Sequence, residues 1–262
     1  MLDWISKLGS FIAGSTEGAG YGLGLLVLTF LQAGALFRRH HFEATLRQMF
    51  ICGVQSIPVT LVVSVFTGAI LALNGGLSLE QIGQEGLIGR IVAVSMTREM
   101  GPFMTALILA ASVGSGMAAE VGTMKVSEEI DALEVMAIEP AKFLVLPRLL
   151  AMAFMTPMLT IYTSFVGILG GAITSSFQYG ISLARFKTDA VLHLTAKDMY
   201  TGVLKAFIFG IVIATVSCSQ GLRASGGAIG VGQATRKSVV ISYLLIIILG
   251  YYVTFLFYRI RW

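Results

Sequence analysis

Charge is what this sequence has least of. Only 12% of its 262 residues are Asp, Glu, Lys or Arg, about half of the roughly 25% in an ordinary soluble domain. That shortfall excludes a water-soluble fold of this size. Cysteine is almost absent too: Cys52 and Cys218 each lie in or beside an apolar run, with no CxxC or metal-ligand spacing, and read as small core hydrophobes. Three histidines, His40, His41 and His193, form no ligand set. No nucleophile–base–acid arrangement stands out, so the chain does not read as an enzyme. The N-terminus, with Asp3 and Glu17, lacks the basic region and short apolar core of a cleavable signal peptide.

What fills the space is long apolar runs. Gly18–Phe37, Gln48–Leu79, Met100–Ala119, Leu149–Ala184, Ala206–Leu222 and Ser238–Tyr258 carry no charge. A bilayer core of about 30 Å takes about 20 apolar residues per helix, so five or six of these runs can span. Lipid cannot satisfy an open sheet or loop, and the class is therefore an all-α polytopic membrane protein with one domain over residues 1–262. Residues 1–15 predict an interfacial helix, with Trp4, Leu8, Phe11 and Ile12 on one face. Residues 1–40 are expected to be this helix and its connection, and 41–262 the bundle. Pro58 predicts a kink, Asn74-Gly75-Gly76 the end of the first span, and Gly167, Gly170 and Gly171 a close helix contact. With five spans, Lys7, Arg38, Arg39, Arg47, Lys125, Lys142, Arg148, Arg223, Arg236 and Lys237 share one side, against Arg90, Arg185, Lys187, Lys197, Arg259 and Arg261 on the other. That bias favours a cytoplasmic N-terminus. The net charge of +4 then reflects headgroup anchors, not nucleic-acid binding.

Three places could carry chemistry. The first is the acidic stretch between the second and third spans. Val126, Ile130, Leu133 and Ala137 recur at helical spacing, while Glu128, Glu129, Asp131 and Glu134 line another face. Ser127 is the expected N-cap and Pro140 the stop. This is either a solvated loop helix lying on its own bundle or a docking helix for a soluble partner. The second is Arg98-Glu99 beside Gly101-Pro102, with Lys205 in the fourth span. Intramembrane charges need partners, adjacent residues on a helix do not face each other, and Lys205 is the candidate for Glu99. The set is either a structural charge network or part of a substrate route. The third is the glycine-rich stretch Ser217–Ser238. It fails as a phosphate-binding loop because Lys237 follows Arg236 and no strand precedes it; it reads as a tight turn between two spans.

From Gln48 to the C-terminus the chain resembles the MlaE/YrbE/TGD1 family, permease subunits of lipid-moving ABC transporters that work with MCE proteins. The residues carrying the resemblance are TREMGP at Thr97–Pro102, AEVGTMKVSEEIDALEVM at Ala119–Met136, LVLPR at Leu144–Arg148 and GGAIGVGQATRKSVV at Gly226–Val240. The resemblance implies an N-terminal interfacial helix plus five transmembrane helices in the bacterial inner membrane, with a cytoplasmic coupling helix, Val126–Ala137, between spans 2 and 3. It implies a second copy of the chain, a cytoplasmic ABC ATPase subunit that holds the ATP and Mg, a periplasmic MCE-domain protein, and membrane phospholipid as cargo; no cofactor is expected in this chain. Leu71, Leu79 and Met100 are the residues expected to line a lipid cavity at the dimer axis. Two departures stand out: family members commonly have an arginine at the position of Ser112, and many carry an acid in the last span, where this chain has Tyr251 and Tyr252. The rival readings are an ATPase-independent secondary transporter and a membrane scaffold for a periplasmic complex.

Overall fold

A computed structural model describes residues 39–259, with Gly20, Gly22 and Gly24. The interfacial helix expected over residues 1–15 and the run Gly18–Phe37 lie outside the described residues, Gly20, Gly22 and Gly24 apart. All the described elements are helices: α1 (Arg39–Gly53), α2 (Ile57–Glu80), α3 (Ile88–Ser95), α4 (Gly101–Leu109), α5 (Ser115–Val126), α6 (Glu129–Val135), α7 (Leu146–Tyr179), α8 (Leu183–His193), α9 (Ala196–Leu222) and α10 (Gly227–Arg259). Among the described residues, five stretches are long and apolar enough to cross a membrane: Glu43–Glu80, Glu85–Val126, Ala141–Tyr179, Ala196–Leu222 and Gly227–Arg259. The chain is a multi-pass membrane protein. By connectivity, α6 and the α9–α10 turn lie at one end of the bundle, and α8 at the other.

Span 1 breaks where proline requires it. Pro58 sits in the first turn of α2, behind a short tight turn at Val54–Ser56. The expected end at Asn74-Gly75-Gly76 is wrong: α2 runs on to Glu80. Gly76 is there for packing, since a Cβ would strike the ring of Tyr179, whose hydroxyl donates to the Leu73 carbonyl at 3.0 Å. The chain turns later, through Gly83 at φ +64°. The stretch Ser217–Ser238 is also less of a turn than expected. Only Gly226 and Gly227 take positive φ, and the rest from Gly227 onward forms the first turns of α10.

Span 2 is one helix with two inserted π turns, at Met96–Met100 and Ala110–Gly114; a third, Ala141–Val145, opens span 3. Each leaves carbonyls open to neighbours. Ser164 donates to the Met96 carbonyl at 3.3 Å.

The closest helix contact is α2 against α7. A Cβ on Gly68 would strike the Gly167 carbonyl, and one on Gly170 the Val65 carbonyl. Without side chains here the two backbones touch, which is how membrane helices gain packing energy without a hydrophobic driving force. Thr105 and Thr163 hydroxyls, 2.8 Å apart, tie α4 to α7. Gly170→Val is expected to cost about 3 kcal/mol by overpacking, read as a fall in thermal midpoint of the purified protein. Gly232→Ala, whose Cβ meets open space, is expected to be neutral or to stabilise by about 0.5–1 kcal/mol.

Candidate functional site: a buried charge set and an acidic handle

Lys205 is the largest side chain in the fully buried core, at 1% exposure. Its Nζ donates to Glu99 Oε2 at 2.6 Å and to the Arg98 carbonyl at 3.1 Å. The carbonyl is available because Arg98 lies in the Met96–Met100 π turn. Gly202, one turn before Lys205, lets α9 approach, since a Cβ there would strike the Thr97 carbonyl. Arg98 Nε also lies 3.7 Å from Glu99 Oε1, a contact longer than that of Glu99 with Lys205, the partner the sequence pointed to.

Thr254 of α10 completes the set: its hydroxyl donates to the Gly250 carbonyl at 2.8 Å and lies 3.2 Å from Glu99 Oε1, sharing its one proton between them. It lies three residues from the Tyr251 position and was missed because threonine in an apolar helix gives no sequence signal. The Arg98 and Glu99 side chains remain 30% and 40% exposed, while Lys205 is buried. Of the three residues expected to line a lipid cavity, Leu71 and Met100 pack, partly exposed, at the edge of a cluster formed with Ile88, Val92 and Phe186. Leu79 is buried inside that cluster, a placement that follows from α2 continuing past Gly76.

The acidic stretch folds into a shorter helix than expected, Glu129–Val135. Ser127 is not its N-cap. Its hydroxyl donates back to the Thr123 carbonyl at 2.7 Å, and Glu128 makes the turn at φ 62°. At the other end Ala137 takes φ 57°. Its N–H donates to the Glu134 carbonyl and that of Ile138 to the Leu133 carbonyl, both at 2.9 Å, a Schellman close with alanine in the usual glycine position. Val126 ends α5.

The apolar stripe of this helix faces inward. Ile130 is buried against Val121 and Leu144, with Leu133 at the edge. Lys125 Nζ bonds Asp131 Oδ1 at 2.6 Å, and Arg148 Nη2 bonds Glu120 Oε2 at 2.9 Å. The helix is thus fixed to spans 2 and 3. The apolar groups turned outward are Val135 and Met136, 88% and 61% exposed, beside exposed Glu128, Glu129 and Glu134. Sequence periodicity put these two off the apolar stripe and passed them over.

Because Lys205 is the buried member of its pair, the two truncations are expected to differ. Glu99→Ala strands the ammonium and is expected to cost about 3 kcal/mol. Lys205→Met leaves a partly exposed carboxylate and is expected to cost about 1 kcal/mol. The thermal midpoints of the two variants check the order.

A family model described as Permease MlaE matches residues 45–256. A probable ABC transporter permease protein of Rickettsia conorii is 36% identical over 220 residues, 84% of this chain and 85% of the relative. One from Synechocystis is 35% identical over 254 residues, 94% of this chain and 97% of the relative. The intermembrane phospholipid transport system permease protein MlaE of Haemophilus influenzae is 32% identical over 217 residues, 82% of this chain and 83% of the relative. The TREMGP turn that receives Lys205 and the acidic helix both lie inside the matched span, and the chain belongs to the MlaE permease family.

Proposed function

We propose that this chain is the permease subunit of an ATP-driven lipid transporter in a bacterial inner membrane. It pairs with a second copy of itself, takes its energy from a cytoplasmic ABC ATPase subunit docked on α6, and exchanges phospholipid with a periplasmic MCE-domain protein. ATP and Mg belong to the ATPase. Leu71 and Met100 border the lipid space, with Arg98 and Glu99 at its polar edge.

The observation that carries this reading is the state of α6. Its Ile130 and Leu133 hold it to the bundle, and it still presents exposed Val135 and Met136 on a segment that also carries exposed Glu128, Glu129 and Glu134. Exposed apolar groups together with carboxylates suit a groove with a basic rim. The relatives, ABC transporter permeases and a phospholipid transport permease, support the energy source and the cargo. A bundle with few intramembrane charges suits acyl chains, whereas ion and sugar routes need denser polar lining.

Val135→Asp, and separately Glu128→Lys with Glu134→Lys, are expected to reduce co-purification of the ATPase at least about tenfold, the effect of losing about 1.4 kcal/mol, with the thermal midpoint of the permease unchanged because these side chains are exposed. Undiminished capture by both variants removes α6 as the dock. Lipid transfer by the purified chain without any ATPase removes the energy source.

A further inference from the structure

At the α6 end, α1, the Ala110–Gly114 turn with α5, and the start of α7 enclose a groove that neither the Lys205 set nor the acidic handle uses. It consists of two joined cavities of about 230 and 350 Å³ that share Gln48, Ile51 and Glu120. Along the first wall, residues 44 to 59 cover about 22 Å at 1.5 Å per residue, the depth of one leaflet with its headgroups.

The two ends differ. The wider end holds Arg47, Gln48, Glu120 and Arg148. The deeper end runs past Ile51, Val59 and Met117. Arg148 is fixed: Nη1 donates to the Leu144 carbonyl and Nη2 to Glu120 Oε2, both at 2.9 Å, and its side chain is 9% exposed. Its Nε is buried without a hydrogen-bond partner. Each Nη keeps one N–H beyond those bonds. Glu120, 57% exposed, keeps Oε1 open. Two guanidinium groups and one carboxylate therefore share a small mouth above a slot of mixed lining, in which Ile51, Val59, Val113 and Met117 alternate with Gln55, Ser56 and Ser112.

We propose that this groove holds a phospholipid of the adjacent leaflet with a zwitterionic, primary-amine headgroup. Its phosphate accepts hydrogen bonds from Arg47 and the open edge of Arg148. Its ammonium donates to Glu120, and an acyl chain follows Ile51, Val59 and Met117. An anionic headgroup without the amine offers Glu120 only neutral hydroxyl donors, whereas a primary ammonium gives the carboxylate a charge-assisted hydrogen bond, roughly twice as strong. A quaternary amine cannot donate the hydrogen bond. Assigning this leaflet to the cytoplasm rests on the proposed function; the groove and its chemistry do not.

The test uses the full chain, without ATPase, in nanodiscs of phosphatidylglycerol and phosphatidylcholine doped with phosphatidylethanolamine that carries a photoreactive acyl chain. Irradiation and peptide mass spectrometry are expected to place adducts on peptides spanning 48–59 and 112–120. Unlabelled phosphatidylethanolamine is expected to compete; added phosphatidylglycerol, phosphatidylcholine and free phosphoethanolamine are not. Arg47→Gln and Glu120→Gln are each expected to lower the adduct about tenfold, the loss of one charge-assisted hydrogen bond; Arg47 is exposed and its variant keeps the thermal midpoint, while Glu120→Gln also removes the countercharge of buried Arg148 and lowers the midpoint, with a single cooperative transition showing that it folds. Adducts that ignore both substitutions, that fall equally on the exposed face of α10, or that are competed as well by phosphatidylglycerol overturn the proposal. Competition by free phosphoethanolamine replaces a lipid site with a soluble-headgroup site and overturns it as well. Because no ATPase is present, this result is independent of docking at α6.

Discussion

An ammonium group inside a helix bundle constrains everything around it. Lys205 has no water to turn to, so its charge must be met by fixed groups. Glu99 supplies the countercharge and the Arg98 carbonyl a second acceptor, but only because span 2 departs from α-helical hydrogen bonding at Met96–Met100. Glycine at 202 sets the approach of α9. Thr254 of α10 then binds the other carboxylate oxygen. Spans 2, 4 and 5 are held in register by one charge and its partners.

The same span carries the handle. From Glu99 to Glu128, span 2 covers about 40 Å at helical rise, and α6 is joined to its end by one left-handed residue, by Ile130 and by the Lys125–Asp131 bridge. Arg148 and Glu120 fasten the same end to span 3. In the proposed reading a force on α6 is not absorbed by a slack loop. It acts on the base of span 2, whose upper part meets α9 and α10 at the charge set. The π turn at Met96–Met100 holds the charge set, and the one at Ala110–Gly114 lies between it and α6.

Much of this was legible in the sequence. The apolar runs and the acidic stretch gave the five spans and the position of α6. The need of an intramembrane cation for an anion pointed from Lys205 to Glu99. What was not legible had physical reasons. A glycine in a helix reads as a stop, but Gly76 serves contact with Tyr179, a neighbour about a hundred residues away. An N-cap rule favours Ser127, yet its hydroxyl is taken by the Thr123 carbonyl and Glu128 makes the left-handed turn. Helical periodicity identifies an apolar stripe without saying whether it meets its own bundle or a partner. Here Ile130 turned inward, and the outward groups were Val135 and Met136. The π turns leave no mark in residue type at all.

One further consequence concerns α10. Its most apolar window is 11% buried, against 50–67% for spans 2 to 4. Tyr251 stacks on Phe255 at 6.2 Å on its outer face while Thr254, between them in sequence, turns to Glu99. The charge set therefore sits behind the barest helix of the bundle, with Arg98 and Glu99 open on one side. Acyl chains alone would leave that opening unsatisfied. A second copy placed against α10 would enclose it, turning two half-open charged edges into the walls of one shared space. In the proposed transporter, this half-open charged edge is the one that a second copy would have to close.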